Sequence, residues 1–435
     1  MTRFTGLDAE IENFARLSGG ASMESSSFDH GGKGYILRRA PSASFMEGRA
    51  FGHDVETAVI RAAVAGGVKA PIVVGELDAA DGLGSGYVMV RVEAEVNPAT
   101  ILANPPLHLS SELARELALI HALPTSALKV PVMDTAAALA DLKTRFLGYG
   151  GDRPVLALAI KWLEDHLPEP VPPILVHGDF RMGNLMVGPE GLAAVLDWEL
   201  AHLGDGHEDL AYGCLTVWRF GQVEKPAFGC GDLETYFSAY EAAGGRPVDP
   251  ARFRFWLVYR TFWWALGCMQ MADIWRTGVD TSLERAVIGR RTSENELDLL
   301  MLLEVDAPET QRLPLTQEPV PPPRRQGETS TVEMLEAVSD WIVSDIKPKA
   351  EGRDRFMVAV ALNALGMLAR EAANPVAVHD GALAQDILAG RQSLATPGLL
   401  TALRKTALKK LSNDGPKYAA LAKAKALWIA GEYRS

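Results

Sequence analysis

The sequence predicts an α+β fold, in which a short region of strands and one helix is followed by a mainly helical region and an all-helical C-terminal bundle. The first 100 residues mix apolar runs of strand type with one amphipathic pattern. From about Ser110 onward, apolar residues recur at helical spacing. A Pro-rich and polar segment, residues 314–330, then separates off the last hundred residues.

Two strands and one helix are predicted in the first region. KGYILRRA (33–40) and GSGYVMVRVE (84–93) have strand composition, and glycines mark the turns before them. Between them, FGHDVETAVIRAAVAGG (51–67) has apolar residues near helical spacing and ends at Gly-Gly, which predicts an amphipathic helix. In the next region, SSELARELALIHAL (110–123) begins with a Ser cap and continues with helical periodicity.

The composition bounds the class of protein. A length of 435 residues allows two or three domains with separate cores, and 48% hydrophobic with 23% charged residues is typical of globular proteins. The formal net charge of -12 argues against nucleic acid or an anionic membrane as a general partner. Residues from Ser330 onward carry 14 Lys+Arg against 11 Asp+Glu, so the C-terminal part presents a different surface.

The cysteines and the most apolar segment indicate a cytoplasmic protein. The chain has three scattered cysteines outside CxxC spacing: Cys214, Cys230 and Cys268. This pattern favours reduced thiols over a disulfide framework or a zinc site. The segment 255–275 is interrupted by Arg260 and Asp273, and the uncharged stretch between them is too short to cross a bilayer. We therefore predict a buried helix there.

The stretch VHGDFRMGNLMVGPEGLAAVLDWE (176–199) places many polar groups between two apolar segments. Both segments are predicted as strands, with Asp179, Arg181 and Asn184 in the loop between them. A tight turn would bring Asp197, near the end of the second strand, close to Asn184. A carboxylate and an amide offer hard oxygens that suit Mg²⁺, whose remaining positions are filled by water and phosphate. Asp179 could then deprotonate or orient a hydroxyl.

Two other interpretations of this stretch stay open on the residues alone. The Asp and Asn side chains could satisfy only their own backbone in a polar β-turn. A zinc site would instead draw on four residues: His177, Asp179, His202 and His207. No pair among those four has the HExxH spacing that a helical zinc site uses.

HGDFRMGN (177–184), LDWE (196–199) and GDGHEDLA (204–211) together resemble the aminoglycoside phosphotransferase and choline kinase-like family, which has the protein-kinase fold. The resemblance covers about residues 10 to 305. It implies a two-lobe fold with a small antiparallel β lobe and a large, mainly helical lobe, to which an all-α C-terminal bundle is added.

The resemblance and the linker composition set the expected domain boundaries. The β lobe would span residues 1–93. The helical lobe, with the catalytic loop and the acceptor site, would span 94–312. The Pro-rich linker would occupy 313–329, and a helical domain of unknown function would occupy 330–435. A capping-box spacing from Ser330 to Glu333 predicts the first helix of that domain.

The resemblance also implies catalytic and metal-binding roles. Asp179 takes the place of the catalytic aspartate, and Arg181 lies where protein kinases carry a lysine that faces the transferred phosphoryl group. Asn184 and Asp197 would hold Mg²⁺ between the nucleotide phosphates. Asp209 would brace the catalytic loop by accepting a hydrogen bond from the backbone near His177.

Seven nucleotide-binding residues are implied: Gly19, Gly20, Ser22, Arg38, Glu56, Val90 and Val92. The two glycines and Ser22 would form a turn whose N–H groups cover phosphates. Arg38 takes the place of the phosphate-binding cation, where many relatives have lysine, and Glu56 would pair with it. Arg39 should point to the opposite face of its strand. The backbone near Val90 and Val92 would contact adenine.

The predicted function is Mg²⁺-dependent transfer of the γ-phosphate of ATP or GTP to a hydroxyl of a small metabolite. Aromatic and arginine residues after Leu210 favour an apolar or anionic acceptor. CLTVWRFG (214–221) resembles kinase-like domains related to those fused to acyl-CoA dehydrogenases, which suggests a hydroxyacyl thioester rather than an aminoglycoside. The alternative is a catalytically silent nucleotide-binding regulator, or a scaffold that acts through the C-terminal helices. Those helices could also form a homo-oligomer.

Overall fold

The computed structural model describes residues 1–17, 23–42, 46–316 and 325–429. The chain forms two compact units. Unit 1 comprises Met1–Thr135 and Pro168–Leu257, and unit 2 comprises Ala136–Leu167 and Val258–Ser435. Every strand in the described ranges lies in unit 1, and unit 2 is helical there, which confirms the predicted α+β class. The domain boundaries expected at 93, 312 and 330 remain predictions.

Unit 1 opens with a five-stranded antiparallel sheet of order β1-β2-β3-β5-β4. Its strands are β1 (Ile11–Arg16), β2 (Glu24–His30), β3 (Lys33–Arg39), β4 (Val73–Glu76) and β5 (Gly86–Val90). The two predicted strands are therefore present as β3 and β5, and they pair with each other. Four buried side chains form the core of the sheet: Phe28, Tyr35, Leu37 and Val88.

The predicted helix between these strands is α2 (His53–Ala65), which follows the short helix α1 (Thr2–Thr5). It packs against β4 and β5. The Gly-Gly stop is observed, and Gly67 has φ 85, a left-handed conformation that disfavours other residues. The buried face of α2 is apolar except for His53, Thr57 and Glu56, of which Glu56 belongs to the site described below.

The remainder of unit 1 is mainly helical with two small two-stranded sheets. Its helices are α3 (Pro98–Ala103), α4 (Leu109–His121), α7 (His207–Tyr212), α8 (Leu233–Ala242) and the first turns of α9 (Pro250–Arg276). Its strands are β6 (Ile174–Val176), β7 (Leu185–Gly188), β8 (Gly191–Val195) and β9 (His202–Gly204). The helix predicted over 255–275 is the body of α9.

The strand pairing around the polar loop that contains Asp179, Arg181 and Asn184 differs from the predicted one. The two predicted strands are β6 and β8, but β6 pairs with β9, and β8 pairs with β7. The residues LMVG after Asn184 form β7, so the tight turn lies between Gly188 and Gly191 rather than at the polar loop. The proximity of Asn184 to Asp197 nevertheless follows, because both flank this shorter hairpin.

Unit 2 is built from helices that are far apart in the sequence. They are α5 (Thr135–Gly148), α6 (Pro154–Asp165), the rest of α9, α10 (Leu283–Gly289), α11 (Thr292–Leu303), α12 (Thr331–Trp341), α13 (Gly352–Ala373), α14 (Gly381–Leu388), α15 (Leu399–Asp414) and α16 (Ala419–Ile429). Helix α11 is largely buried and contacts α6, α15 and α16. The predicted capping box is present, since the Ser330 and Glu333 side chains each bond to the other's backbone N–H.

A buried ion pair ties the C-terminal helices to the end of α11. Arg404 of α15 is fully buried, and its Nε and Nη2 lie 2.9 and 2.6 Å from Glu304 Oε2. The indole of Trp428 in α16 donates to the same oxygen at 2.6 Å. Although Arg404 opposes it, burial raises the pKa of Glu304.

Helix α13 is long and apolar enough, by length and composition alone, to cross a membrane. Its mean hydropathy is 1.4, and 11% of the apolar window is buried. Its C-terminal end is tied to unit 2, because Glu371 pairs with Arg290 at 2.6 Å and with Lys410 at 2.9 Å. Arg370 also donates to the carbonyl oxygen of Asn413 at 2.8 Å.

The three cysteines are unpaired thiols. Cys214 and Cys230 belong to unit 1 and Cys268 to unit 2. Burial raises the pKa of each thiol to about 12, so none is a reactive thiolate near neutral pH.

Candidate active site

The turn that leads from β6 into the polar loop is held by Asp209 of α7. This carboxylate accepts the backbone N–H groups of His177 at 2.7 Å and Gly178 at 2.9 Å, which is the expected bracing contact. His121 Nε2 lies 3.2 Å from it, and the Tyr240 hydroxyl lies 2.7 Å from His121 Nδ1. Burial opposes ionisation, but these hydrogen bonds outweigh it and lower the pKa of Asp209.

His177 is an architectural residue of this turn. Its Nε2 lies 3.1 Å from the carbonyl oxygen of Leu196, and its Nδ1 accepts the backbone N–H of Asp179 at 3.2 Å. The ring packs on Trp198 with centroids 4.6 Å apart. Burial lowers the pKa of His177, so the ring is neutral and links the loop to the residues after β8.

The glycine of the His-Gly-Asp sequence is required by space and by conformation. Gly178 has φ 81, in the left-handed region. A Cβ at this position would lie 2.5 Å from the carbonyl oxygen of Leu200. The backbone therefore reverses here and directs Asp179 into the loop.

Asp179 contacts both other polar residues of the loop. Arg181 Nε lies 2.9 Å from Asp179 Oδ1, and Asn184 Nδ2 lies 2.5 Å from Asp179 Oδ2. The backbone carbonyl of Asn184 accepts the N–H of Leu196 at 2.8 Å. Since Leu196 precedes Asp197, this bond places Asn184 beside Asp197.

Asn184 and Asp197 present oxygens that fit Mg²⁺. Because the amide nitrogen of Asn184 donates to Asp179, the amide oxygen faces away from Asp179. Asp197 has a left-handed backbone, with φ 66, which is uncommon outside glycine. Magnesium in phosphoryl-transfer sites usually has only one or two protein ligands. Among the residues that the structure describes, no three His, Cys, Asp or Glu side chains form a metal-binding group, so the zinc alternative is not formed.

Arg38 joins three carboxylates. Its Nη2 lies 2.5 Å from Asp197 Oδ1 and 3.1 Å from Glu199 Oε2, and its Nε lies 3.7 Å from Glu56 Oε1. Burial opposes the charge, but Asp197 and the other carboxylates raise the pKa of Arg38. The expected contact with Glu56 is thus the longest of the three. The shortest contact is with Asp197, which is also the candidate metal ligand.

Glu56 is the most buried of these carboxylates, with 2% of the residue exposed. The hydroxyl of Tyr87 donates to Glu56 Oε1 at 3.0 Å. Burial raises the pKa of Glu56 to about 7, against the attraction of Arg38. The charge around Arg38 therefore changes near neutral pH. A second cation, Arg49, lies 3.1 Å from Glu199.

Arg39 lies on the opposite face of β3, as the alternation of strand side chains predicts. Its Nη2 lies 2.9 Å from Glu24 Oε2, and its Nη1 donates to the carbonyl oxygen of Leu83 at 3.2 Å. Only Arg38 of this pair therefore reaches the carboxylate cluster.

Arg181 is held by Trp218 as well as by Asp179. Its guanidinium carbon lies 4.2 Å from the centre of the Trp218 ring, within cation–π range. Gly183 has φ 101, and a Cβ there would lie 2.8 Å from Arg181 Nη1, so this glycine makes room for the guanidinium. Phe220, close to Trp218 in sequence and space, is exposed.

The remaining predicted nucleotide contacts are only partly visible. Gly19, Gly20 and Ser22 lie outside the described residues. The N–H of Val90 donates to the Ile72 carbonyl at 2.9 Å, and that of Arg91 donates to the Gly34 carbonyl at 3.0 Å. The segment expected to face adenine runs from Val90 to Val92. Val92 lies just beyond β5, and its main chain is the part of this segment without a described hydrogen bond to the sheet.

Several residues near the loop have structural roles. His202 is buried, and its Nε2 lies 3.1 Å from Glu208 Oε2. Gly206 is closely packed, since a Cβ there would lie 2.7 Å from Ile174 Cδ1 and 2.9 Å from His121 Nδ1. Trp256 is a core residue that donates to Asp205 at 2.9 Å. Such buried polar contacts leave no local signature in the sequence.

Comparison with known proteins gives a family and several partial relatives. Residues 13–256, more than half of the chain, match the sequence model of the phosphotransferase enzyme family. Acyl-CoA dehydrogenase family member 10 of Mus musculus is 36% identical over 121 residues, which cover 25% of this chain and 11% of that protein. Acyl-CoA dehydrogenase family member 11 of Pongo abelii is 26% identical over 332 residues, covering 67% and 39%. The chain thus spans far less than two thirds of these relatives.

Solved structures share the fold. A Ralstonia eutropha JMP134 protein described as an aminoglycoside phosphotransferase has a TM-score of 0.53 and 22% identity, covering 68% of this chain and 94% of that one. A thermostable mutant of aminoglycoside phosphotransferase APH(4)-Ia, in complex with AMP-PNP and hygromycin B, has a TM-score of 0.51 and 16% identity, covering 69% and 95%. These likenesses confirm the kinase-like fold of this part of the chain.

Proposed function

Because the chain belongs to the phosphotransferase enzyme family, we propose that it is a Mg²⁺-dependent small-molecule kinase that transfers the γ-phosphate of ATP or GTP to a hydroxyl of a metabolite. One observation carries the proposal: Asp179 contacts Asn184, the carbonyl of Asn184 accepts the N–H of Leu196 next to Asp197, and Arg38 contacts Asp197. A solved relative of the same fold that holds AMP-PNP supports a nucleotide as co-substrate.

Asp179 is the group that orients or deprotonates the acceptor hydroxyl, a role typically worth about 10²–10⁴ in rate. It is held in place by Asn184 and by the backbone contact with His177. In the structure, Arg181 donates to both carboxylate oxygens of Asp179, at 2.9 and 3.4 Å. An acceptor hydroxyl that binds Asp179 replaces part of this ion pair, and the guanidinium then lies beside the reacting groups.

Asn184 and Asp197 would hold the metal ion, which when bound neutralises charge on the nucleotide phosphates. Arg38 would change partner in the same step of binding. Its contact with Asp197 would be exchanged for phosphate, while Glu56 stays within reach of its Nε. Arginine suits this role because its planar fork can keep one partner while it takes another.

We propose an anionic acceptor that carries a hydroxyl, specifically a hydroxyacyl thioester. Arg181, stacked on Trp218 and flanked by exposed Phe220, offers a cationic and aromatic surface next to Asp179. A polycationic aminoglycoside would be repelled by that guanidinium. The names of the curated relatives, which are acyl-CoA dehydrogenase family members, support an acyl thioester.

The test is Mg²⁺-dependent transfer of labelled γ-phosphate from ATP and GTP to 3- and 4-hydroxyacyl thioesters, aminoglycosides, choline, sugars and homoserine. Asp179→Asn should abolish transfer but keep nucleotide binding, whereas Asp141→Asn, at an exposed site in unit 2, should change neither. Transfer that survives Asp179→Asn would refute the assigned role. Nucleotide binding without transfer to any acceptor would favour the regulatory alternative.

We also propose a cytoplasmic location. Three unpaired, largely buried thiols support it, because secreted chains commonly oxidise their cysteines. Cell fractionation with an antibody against the chain would test this, and recovery mainly in a secreted or membrane fraction would contradict it.

A further inference from the structure

Helix α12 has two apolar faces, and within the described part of unit 2 one of them is half-buried while the other is exposed. Helix α12 packs on α13, and its apolar residues Val332 and Leu335 are half-buried. A second row consists of Met334, Val338 and Trp341, which are 54%, 40% and 55% exposed. The spacing i, i+4, i+7 places these three side chains on one face of the helix.

Two further exposed apolar side chains follow along the chain: Val343, in the π-helical turn, and Phe356, in the first turns of α13, are also about half exposed. We call the row formed by Met334, Val338 and Trp341 the outer face of the α12–α13 pair. Single exposed apolar side chains are normal, but clusters of this kind commonly mark an interaction surface.

Charge is arranged along the same pair in two blocks. Residues 331–346 contain four acidic residues and no Lys or Arg: Glu333, Glu336, Asp340 and Asp345. Residues 347–355 contain four basic residues: Lys347, Lys349, Arg353 and Arg355. They also contain two acidic ones, so the first block is negative and the second is net positive. The acidic positions 340 and 345 and all four basic residues are exposed.

We propose that the outer face binds the outer face of a second copy of this chain about a two-fold axis. In such an isologous contact, the acidic block of each copy lies against the basic block of the other, so the charge contact occurs twice. The outer-face residues of the two copies, including Trp341, meet near the axis. Each copy would contribute α12 with its π-helical extension, 16 residues or about 24 Å, and α13, 22 residues or about 33 Å. These lengths suit a four-helix bundle.

The charge pattern favours a second copy over a lipid surface. Helices that lie on membranes carry Lys and Arg beside their apolar face. Here Asp340 and Asp345 flank Trp341, and anionic lipid would repel them. The attachment of α13 through Glu371 to Arg290 and Lys410 also holds this helix in unit 2.

The first experiment is sedimentation velocity of the full chain across a dilution series. The wild type should show a monomer–dimer equilibrium, and Trp341→Asp should weaken the dimer about 30-fold or more, as expected for a central aromatic contact. Trp275→Asp is the matched control, because Trp275 is also exposed in unit 2 but lies outside the outer face. It should leave the equilibrium unchanged. Circular dichroism should show that both variants fold.

The second experiment uses charge reversal, which avoids apolar substitutions. Glu336→Lys with Asp340→Lys and Asp345→Lys changes the first block from a net charge of −4 to +2, so both blocks become basic. Lys347→Glu with Lys349→Glu changes the second block from +2 to −2, so both blocks become acidic. Neither variant should self-associate at the wild-type concentration. A mixture of the two should form a heterodimer, because each contact then joins opposite charges.

Three results would overturn the proposal. One is a wild type that stays monomeric at every concentration, and another is a folded mixture of the charge variants that does not associate. The third is binding of monomers to phosphatidylcholine–phosphatidylserine vesicles, abolished by Trp341→Asp, without any dimer, which would assign the outer face to lipid.

Discussion

Arg38 in unit 1 and Arg404 in unit 2 are both guanidinium groups withdrawn from solvent and paired with carboxylates, but the two arrangements differ. Arg404 has one carboxylate partner, Glu304, whose Oε2 also accepts the indole N–H of Trp428. Arg38 is shared among Asp197, Glu199 and Glu56, which come from two separate elements.

The difference teaches how a structural and a functional ion pair can be told apart. The Arg404 pair is electrically balanced, fully buried and placed between helices, so exchanging partners would only lose stability. The cluster around Arg38 contains three carboxylates but only two cations among the contacts described above, Arg38 and the more exposed Arg49. Unbalanced negative charge beside a polar loop favours binding of a further cation and is typical of sites that bind a ligand.

Among the substitutions that test this comparison, Arg404→Met should have the largest effect on stability. This change leaves the Glu304 carboxylate buried beside an apolar side chain, so we expect the free energy of unfolding to fall by about 3–5 kcal/mol. Chemical denaturation should show this loss, while nucleotide affinity of the folded fraction stays unchanged. Lys409→Met, at an exposed position of the same helix, is the control. Equal effects of the two substitutions would contradict a structural role for Arg404.

The converse is expected for Arg38→Met. Removing one charged donor from the proposed phosphoryl-transfer site should lower kcat/KM about 10²–10³-fold, with a smaller loss of stability than in Arg404→Met. Arg39→Met on the opposite face of β3 is the matched control and should retain transfer. If Arg39→Met proved as damaging as Arg38→Met, the site would not be confined to one face of the strand.

The pH response of Glu56 sharpens the comparison further. Its pKa of about 7 lies above that of an ordinary glutamate, so its stabilising contribution is complete below about pH 4.5 and is lost as pH rises through 7. The free energy of unfolding should therefore fall between pH 5 and 8, by about 1–3 kcal/mol. Glu56→Gln should flatten this slope, and Glu190→Gln, at an exposed turn, should keep it. An unchanged slope in Glu56→Gln would contradict the assignment.

The smallest effect is expected at Trp218, which stacks on Arg181. Trp218→Leu removes a cation–π contact of about 0.5–2 kcal/mol, so kcat should fall a few-fold up to about 30-fold. Trp218→Tyr should restore most of the rate, because its ring still faces the guanidinium. A purely structural role would instead lower stability in Trp218→Leu and leave the kcat of the folded enzyme unchanged.

The parts of the site that were predictable are those with local rules. Asp179 and Asn184 share one short loop, and alternation along β3 separates Arg38 from Arg39. The capping box at Ser330 likewise needs only neighbouring residues. Each of these features depends on spacing within a few positions, which a single sequence displays directly.

The parts that could not be predicted depend on contacts between distant residues. Strand β9 has three residues, too few for a periodic signal, so its pairing with β6 was not expected. Tyr87 and Arg49 reach the carboxylate cluster only through the tertiary fold. Trp218 was visible as an aromatic residue, but nothing in its neighbourhood indicates the stacking on Arg181.

The discontinuous composition of unit 2 has a consequence for synthesis on the ribosome. Helix α6 contacts α14, and the backbone N–H of Asp380 donates to the Asp152 carbonyl at 2.7 Å. Roughly 200 residues separate these two helices. At about 5–20 residues per second, the contact between α6 and α14 can form only about 10–40 s after α6 is synthesised, although α11 becomes available earlier. During that interval the side of α6 that packs on α14 is exposed to aggregation and to capture by chaperones. We therefore expect the yield of folded protein to depend on elongation rate as well as on final stability.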